Sequence, residues 1–306
     1  MPAGLLGIED LDREEIQAIL NRARDFQGSQ QHVFTKLDLL KGKMVVNLFF
    51  EASTRTRTSF EIAEKRLGAE IVSITAAGSS VSKGESLVDT LNTLNAMRPH
   101  AIVMRHAASG APHFLSRHMK TPIINAGDGA HEHPTQALLD ARTILDVKQT
   151  LEGLRVAIIG DIFHSRVARS NIYLLSKFGV DIVLCGPASL VPPELASMAP
   201  GVTITSDIEE AIRNADVIMM LRVQLERLHE PAFPSSEYFR FYGLRLEHLG
   251  LAKPEAIVMH PGPINRGREI SSEVADSQRS MILNQVENGI GVRMAVLERV
   301  LGQQRN

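Results

Sequence analysis

Met44–Gly68 reads MVVNLFFEASTRTRTSFEIAEKRLG, and the fold turns on this stretch. Met44–Phe50 (MVVNLFF) is a short apolar run, rich in strand-forming side chains and bounded by polar residues, which predicts a buried strand. A polar turn follows. Phe60, Ala63 and Leu67 then recur at helical spacing, and Gly68 supplies the residue that closes a helix in a left-handed conformation. A buried strand running straight into a helix is half of a βαβ unit, and such units build parallel sheets.

The same alternation extends outward in both directions. Upstream, a helix starts near Asp12: Asp12 and Glu15 have capping-box spacing, and Leu11 with Ile16 can form the hydrophobic staple. Downstream come strands at Glu70–Ile74, Ala101–Met104 and Pro122–Asn125, with a helix through Leu87, Leu91 and Leu94. Pro134 opens a strongly apolar helix to about Val147. Between them, Ala76–Gly84 (AAGSSVSKG) is small and polar and predicts a mobile loop. The pattern restarts after Lys148–Gly153 with strands Arg155–Ile159, Asp181–Cys185, Val202–Thr205, Val217–Met220 and Ala256–Met259, and ends in a helix through Ile290, Met294 and Leu297. The expected architecture is two doubly wound α/β domains with parallel sheets and an active-site cleft between them. Residues 1–147 form the first domain, with a terminal helix 285–306 packing back on it, and 148–284 form the second.

Composition fits this picture and narrows the function. A chain of 306 residues, 44% hydrophobic, has core material for two domains. The net charge of -2 gives no bulk field for nucleic acid or an acidic membrane. One cysteine, Cys185, sits in the apolar run DIVLCGP and reads as a buried, inert thiol; no intramolecular disulfide can form. The start of the chain has neither a basic nor a long apolar segment, and runs such as VIMML are too short to span a bilayer. A cytoplasmic location is expected.

The most informative chemistry lies in Phe50–Phe60, FEASTRTRTSF. Ser53, Thr54, Arg55 and Thr56 fall in the first turn of the helix, where N–H groups lack partners and the dipole is positive. Hydroxyls add donors, and a guanidinium matches phosphate oxygens. A generic STRT could equally be a solvated polar cap; its place behind a buried strand favours an anion site. His133 precedes Pro134 and so sits at a helix N-cap, where the dipole disfavours imidazolium and leaves a neutral ring able to donate one hydrogen bond. His131 and His133 alone fall short of zinc or iron spacing, so no metal is expected. The second domain has no G-x-G-x-x-G, which argues against a dinucleotide-dependent oxidoreductase.

Further segments accompany STRTR in order: SSVSKGES (Ser79–Ser86), MRH (Met104–His106), NAGDGAHEHPTQ (Asn125–Gln136), GDIFHSRVARS (Gly160–Ser170), LRVQLER (Leu221–Arg227) and HPGP (His260–Pro263). Together they resemble the aspartate/ornithine carbamoyltransferase family over nearly the whole chain. The aspartate branch is favoured, because the ornithine branch carries an HCLP-type loop where this chain has HPGP. Lys83, Arg166 and Arg222 also suit a dicarboxylate and would repel an ammonium side chain.

The resemblance implies carbamoyl transfer from carbamoyl phosphate to L-aspartate, the committed step of pyrimidine biosynthesis, with no cofactor. It assigns Arg55, Thr56, Arg105 and His133 to catalysis. Ser53, Thr54, Gln136 and the HPGP backbone at Gly262 and Pro263 join them in binding carbamoyl phosphate. The family often has leucine where Gly262 stands. Lys83, Arg166, Arg222 and Gln224 would bind aspartate, and Glu51 and Arg227 would form ion pairs that close the domains. Lys83, with Ser79 or Ser80, would come from a neighbouring subunit of a homotrimer, which in this family can join regulatory or dihydroorotase-type chains. A carbamoyltransferase for ornithine or an acylated ornithine, and a non-catalytic scaffold, are the alternative readings; every expected ligand type is present, which argues against the scaffold.

Overall fold

The computed structural model describes residues 4–28, 36–75, 86–223 and 235–302. The chain divides into two compact units, Met1–Leu139 with Asn288–Asn306, and Asp140–Glu287.

The first unit opens with α1 (Arg13–Gly28). Its start is a reciprocal cap: the Glu15 N–H donates to Asp12 Oδ1 at 2.7 Å, and the Asp12 N–H donates to Glu15 Oε2 at 3.1 Å. Leu11 and Ile16, the staple pair, are both buried. Then follow β1 (Met44–Phe49), α2 (Thr54–Leu67), β2 (Glu70–Thr75), α3 (Leu87–Ala96), β3 (Ala101–His106), α4 (Ala111–Ser116), β4 (Ile123–Asp128) and α5 (Pro134–Lys148), the last reaching past the division. The α2 helix ends at Gly68 with φ 83°, where the Gly68 N–H donates to Lys65 O at 3.2 Å.

The four strands pair in parallel in the order β2-β1-β3-β4. β1, β3 and β4 are buried almost throughout, as parallel strands covered on both faces must be. Val46, Leu48, Ile102, Met104 and Ile123 form one side of the core, packed against Leu94 of α3 and Leu115 of α4.

The second unit runs β5 (Arg155–Ile159), α6 (Arg166–Ser176), β6 (Asp181–Cys185), β7 (Val202–Thr205), α7 (Ile208–Ile212), β8 (Val217–Met220), α8 (Ser235–Tyr242), β9 (Ile257–Met259) and α9 (Ser272–Ala275). Its sheet is parallel, in the order β7-β6-β5-β8-β9. Its core joins Ala157, Ile159, Val183, Ile218 and Val258 of the sheet to Ile208, Ala211 and Ile212 of α7. Cys185 is buried in it, and burial pushes its thiol up to about 12, so it stays protonated and inert at neutral pH. The last helix is α10 (Ile282–Leu301).

In each sheet the chain first moves to one side and then reverses. The reversal falls between β1 and β3 in the first unit, and between β5 and β8 in the second. With right-handed crossovers, a reversal places helices on opposite faces and opens a crevice at the carboxyl ends of the two central strands.

Candidate active-site elements

The first unit's reversal point collects the sequence-derived phosphate ligands. Ser53 caps α2 in an extended conformation (φ -159°, ψ 92°), and its side chain makes no capping hydrogen bond. The first turn carries no acidic residue, so nothing on the helix itself neutralises the positive end of its dipole. Thr54 and Arg55 are exposed and Thr56 is buried. Arg105 stands beside this turn, because it pairs with Phe49 across the sheet and its carbonyl accepts from the Phe50 N–H at 2.9 Å. Its guanidinium is held on two sides, by Glu51 Oε1 at 2.7 Å and the Ala126 carbonyl at 3.2 Å. Glu51, which the sequence places in an ion pair between domains, thus has a partner within its own unit.

His133 arrives from the neighbouring strand, β4. Its carbonyl accepts from the N–H groups of Gln136 and Ala137, at 3.0 and 3.3 Å, which makes it the N-cap of α5 with Pro134 as first helical residue. The turn before it is tied down by two buried carboxylates. Asp128 accepts from Asn125 Nδ2 at 2.8 Å and from the N–H groups of Gly110 and Glu132 at 2.6 and 3.1 Å. Burial pushes the Asp128 carboxyl up, but the hydrogen bonds from His131, Asn125 and Gly110 outweigh it and hold the group below the usual range. Both oxygens of Glu132 accept from the Ile8 N–H, at 3.0 and 2.8 Å. Asp128 and Glu132 escaped the sequence reading, because their partners are backbone groups that spacing along the chain does not reveal.

In the second unit the reversal point collects two arginines. Arg166 is the first residue of α6, behind the cap Ser165, whose hydroxyl accepts from the Ala168 N–H at 3.1 Å. Arg222 follows the end of β8 and is half-buried. The two turns approach closely: Gly160 has φ 141°, and a Cβ there would lie 2.8 Å from the Leu221 carbonyl oxygen. Only glycine fits that conformation and that gap.

The HPGP turn follows β9. His260 Nδ1 accepts from the Gly262 N–H at 2.8 Å, so the ring proton sits on Nε2 and faces Glu269 Oε1 at 3.2 Å, with both side chains fully buried. The same Glu269 oxygen accepts from the Asn265 N–H at 2.5 Å. The His260 N–H donates to Gln285 Oε1 at 2.9 Å. Asp140 accepts from Gln285 Nε2 and from Asn171 Nδ2, each at 2.8 Å. A buried polar chain therefore runs from α6 to the HPGP turn. Gly262 has φ 65° and precedes a cis proline. Lys83, Ser79, Ser80, Gln224 and Arg227 lie outside the described residues.

Two family models match consecutive parts of the chain. The model of the aspartate/ornithine carbamoyltransferase carbamoyl-P binding domain matches residues 4–146, and that of the Asp/Orn binding domain matches 152–300. The chain belongs to the aspartate/ornithine carbamoyltransferase family. It is 79% identical over 302 residues to an aspartate carbamoyltransferase catalytic subunit from Solibacter usitatus, covering 99% of this chain and 100% of that one. A second catalytic subunit of that name, from Syntrophotalea carbinolica, is 55% identical over 98% of this chain and 96% of its own.

Among solved structures of the family, the ornithine carbamoyltransferase of Pyrococcus furiosus superposes with a TM-score of 0.89 at 30% identity, over 98% of this chain and 97% of that one. The aspartate transcarbamoylase of Trypanosoma cruzi, in complex with carbamoyl aspartate and phosphate, superposes at 0.84 with 33% identity, over 98% and 96%. Both branches of the family therefore share this backbone. What separates them lies in side chains, which the fold alone does not report.

Proposed function

We infer that this chain transfers the carbamoyl group of carbamoyl phosphate to the amino group of L-aspartate, giving N-carbamoyl-L-aspartate and phosphate. One observation carries the reading: an acid-free helix start bearing Ser53–Thr56 stands beside Arg105 at the reversal point of a parallel sheet. It does so in a chain 79% identical over its length to an aspartate carbamoyltransferase catalytic subunit.

In the proposed mechanism, Ser53, Thr54, Arg55, Thr56 and Arg105 hold the phosphate, and Gln136 and the backbone at Gly262 and Pro263 hold the carbamoyl amide. Arg166, Arg222, Gln224 and Lys83 hold the aspartate carboxylates. The amino nitrogen attacks the carbonyl carbon, and the electron pair of the C=O bond moves to oxygen. Thr56, Arg105 and His133 donate to this oxyanion. Its collapse breaks the bond to the phosphate oxygen, and the departing phosphate takes the proton from the amine. Every part of this scheme is positioning and electrostatics, so no covalent nucleophile is required.

The acceptor follows from charge. Two arginines at the carboxyl ends of the central strands β5 and β8 attract a dicarboxylate and repel the ammonium side chain of ornithine. The functional division, 1–147 with 285–306 for carbamoyl phosphate and 148–284 for aspartate, belongs to the same proposal. So do a homotrimer in which a neighbouring subunit supplies Lys83, and a cytoplasmic location. No helix among the described residues is long and apolar enough to cross a membrane.

Purified protein given carbamoyl phosphate with either L-aspartate or L-ornithine provides the test, with the ureido product quantified. Product with aspartate alone is the expected result. Product with ornithine would keep the phosphate site and overturn the acceptor assignment. No product with either would overturn the transferase reading for the isolated chain.

A further inference from the structure

The HEHP segment by itself offers too few ligands for a metal ion. Folding adds one from elsewhere: His113, on α4, comes to His131, with ring centroids 5.2 Å apart and planes at 73°. Asp128 completes the group, with Oδ2 3.0 Å from His131 Nδ1. One ligand-capable atom from each of the three lies within 4.8 Å of the others. We propose that His113, Asp128 and His131 form a binding site for a divalent transition-metal ion, zinc in the first instance.

The chemistry of the donors selects the ion. Two imidazoles and a carboxylate suit zinc, whereas magnesium and calcium take all-oxygen sets. Zinc bonds of about 2.0–2.1 Å put tetrahedral ligand atoms roughly 3.4 Å apart. The widest separations must therefore close by up to about 1.4 Å, which side-chain rotation supplies: His113 and His131 retain 28% and 31% side-chain exposure. Asp128 is the fixed point, wholly buried and anchored by Asn125 and two backbone N–H groups. Its contact with His131 Nδ1 would give way to one bond from each atom to the ion. Nδ1 of His113 is buried without a hydrogen bond. An overlapping trio, Glu9, His131 and Glu132, is the poorer set for zinc, because it offers one imidazole and its Glu9 is exposed. An ion here would clip α4 to the turn two residues ahead of His133. This goes beyond the transferase reading and does not depend on the acceptor.

Titration calorimetry of the full-length, chelator-treated protein with zinc chloride tests the proposal, alongside visible absorption of the cobalt-loaded form. One ion per chain is expected, at micromolar affinity or tighter, with cobalt bands of a four- or five-coordinate site. His113→Ala and His131→Asn should each weaken binding at least about tenfold. His118→Ala, an exposed histidine of the turn after α4, should leave it unchanged. Melting curves without metal show whether each variant keeps its fold, and a variant that loses it leaves the other to decide. Absence of a one-per-chain site, or equal affinity in the folded variants, overturns the proposal.

Discussion

Glu64→Gln should remove the loss of stability that one buried carboxyl imposes on the first unit as pH rises. Glu64 lies on α2, fully buried, and its Oε2 accepts from Asn47 Nδ2 of β1 at 2.7 Å. Burial pushes its carboxyl up from 4.5 to about 8, against the smaller opposing pull of the Asn47 bond. In the folded state the group therefore keeps a proton that the unfolded chain releases above about pH 4.5. Stability from this group is fully present below that pH and is lost as pH rises through about 8. A gap of about 3.5 at roughly 1.4 kcal/mol for each unit comes to about 5 kcal/mol.

Glutamine keeps the shape and the bond to Asn47 and never ionises. The variant should match the parent below about pH 4 and exceed it by up to about 5 kcal/mol above pH 8. A chain of two units need not unfold in one step, so native-state hydrogen exchange of the β1 and α2 amides is the assay. Parent and variant are compared at the same pH, where intrinsic exchange rates cancel. A difference that is the same at pH 5 and pH 8 would refute the reasoning, since it would show that Glu64 carries no extra proton in the folded state.

Other expectations concern the proposed chemistry. His133→Ala should lower turnover by roughly 10²–10³, the worth of one oxyanion donor, with circular dichroism unchanged; unaltered turnover would remove His133 from that role. Arg222→Ala should raise the aspartate KM on the order of a hundredfold, the cost of losing one desolvated charge partner. If carbamoyl phosphate binding weakened instead, the assignment of the second unit would be wrong. Gly160→Ala should destabilise the second unit by about 1–3 kcal/mol, since the new Cβ meets the Leu221 backbone at 2.8 Å and the residue is held at φ 141°. A neutral result in the same exchange assay would mean that the two turns have room to part.

The elements that carried their own signals were legible. The Asp12–Glu15 cap, the α2 stop at Gly68 and the strands Arg155–Ile159, Asp181–Cys185, Val202–Thr205 and Val217–Met220 all appear as read. Each is set by neighbours within a few residues. β4 runs on to Asp128, three residues past its expected end, because Asp128 pairs with His106 of β3 across a register shift that no local pattern announces. α4 was not foreseen. Its six residues are too few for a period, although Gly110 before Ala111–Pro112 is a start signal. That omission hid His113 from His131. Parts of the candidate sites were legible only as residue types: the string from Asn171 through Asp140 and Gln285 to His260 joins groups 25 to 145 positions apart, which no local pattern encodes.

The contact of Gly160 with Leu221 bears on how acceptor choice can change. A Cβ at Gly160 would meet the Leu221 backbone and Cβ, so the spacing between the turns that carry Arg166 and Arg222 is gauged by atoms that every residue but glycine shares. Side chains at 166 and 222 can be exchanged without resetting that gauge, while loop insertions cannot leave it intact. On the proposed role of Arg166 and Arg222, a redesign for a new amino-acid acceptor should therefore rewrite charge and length at those two positions and leave the turns as they stand, much as a lock is rekeyed by its pins and not by its barrel.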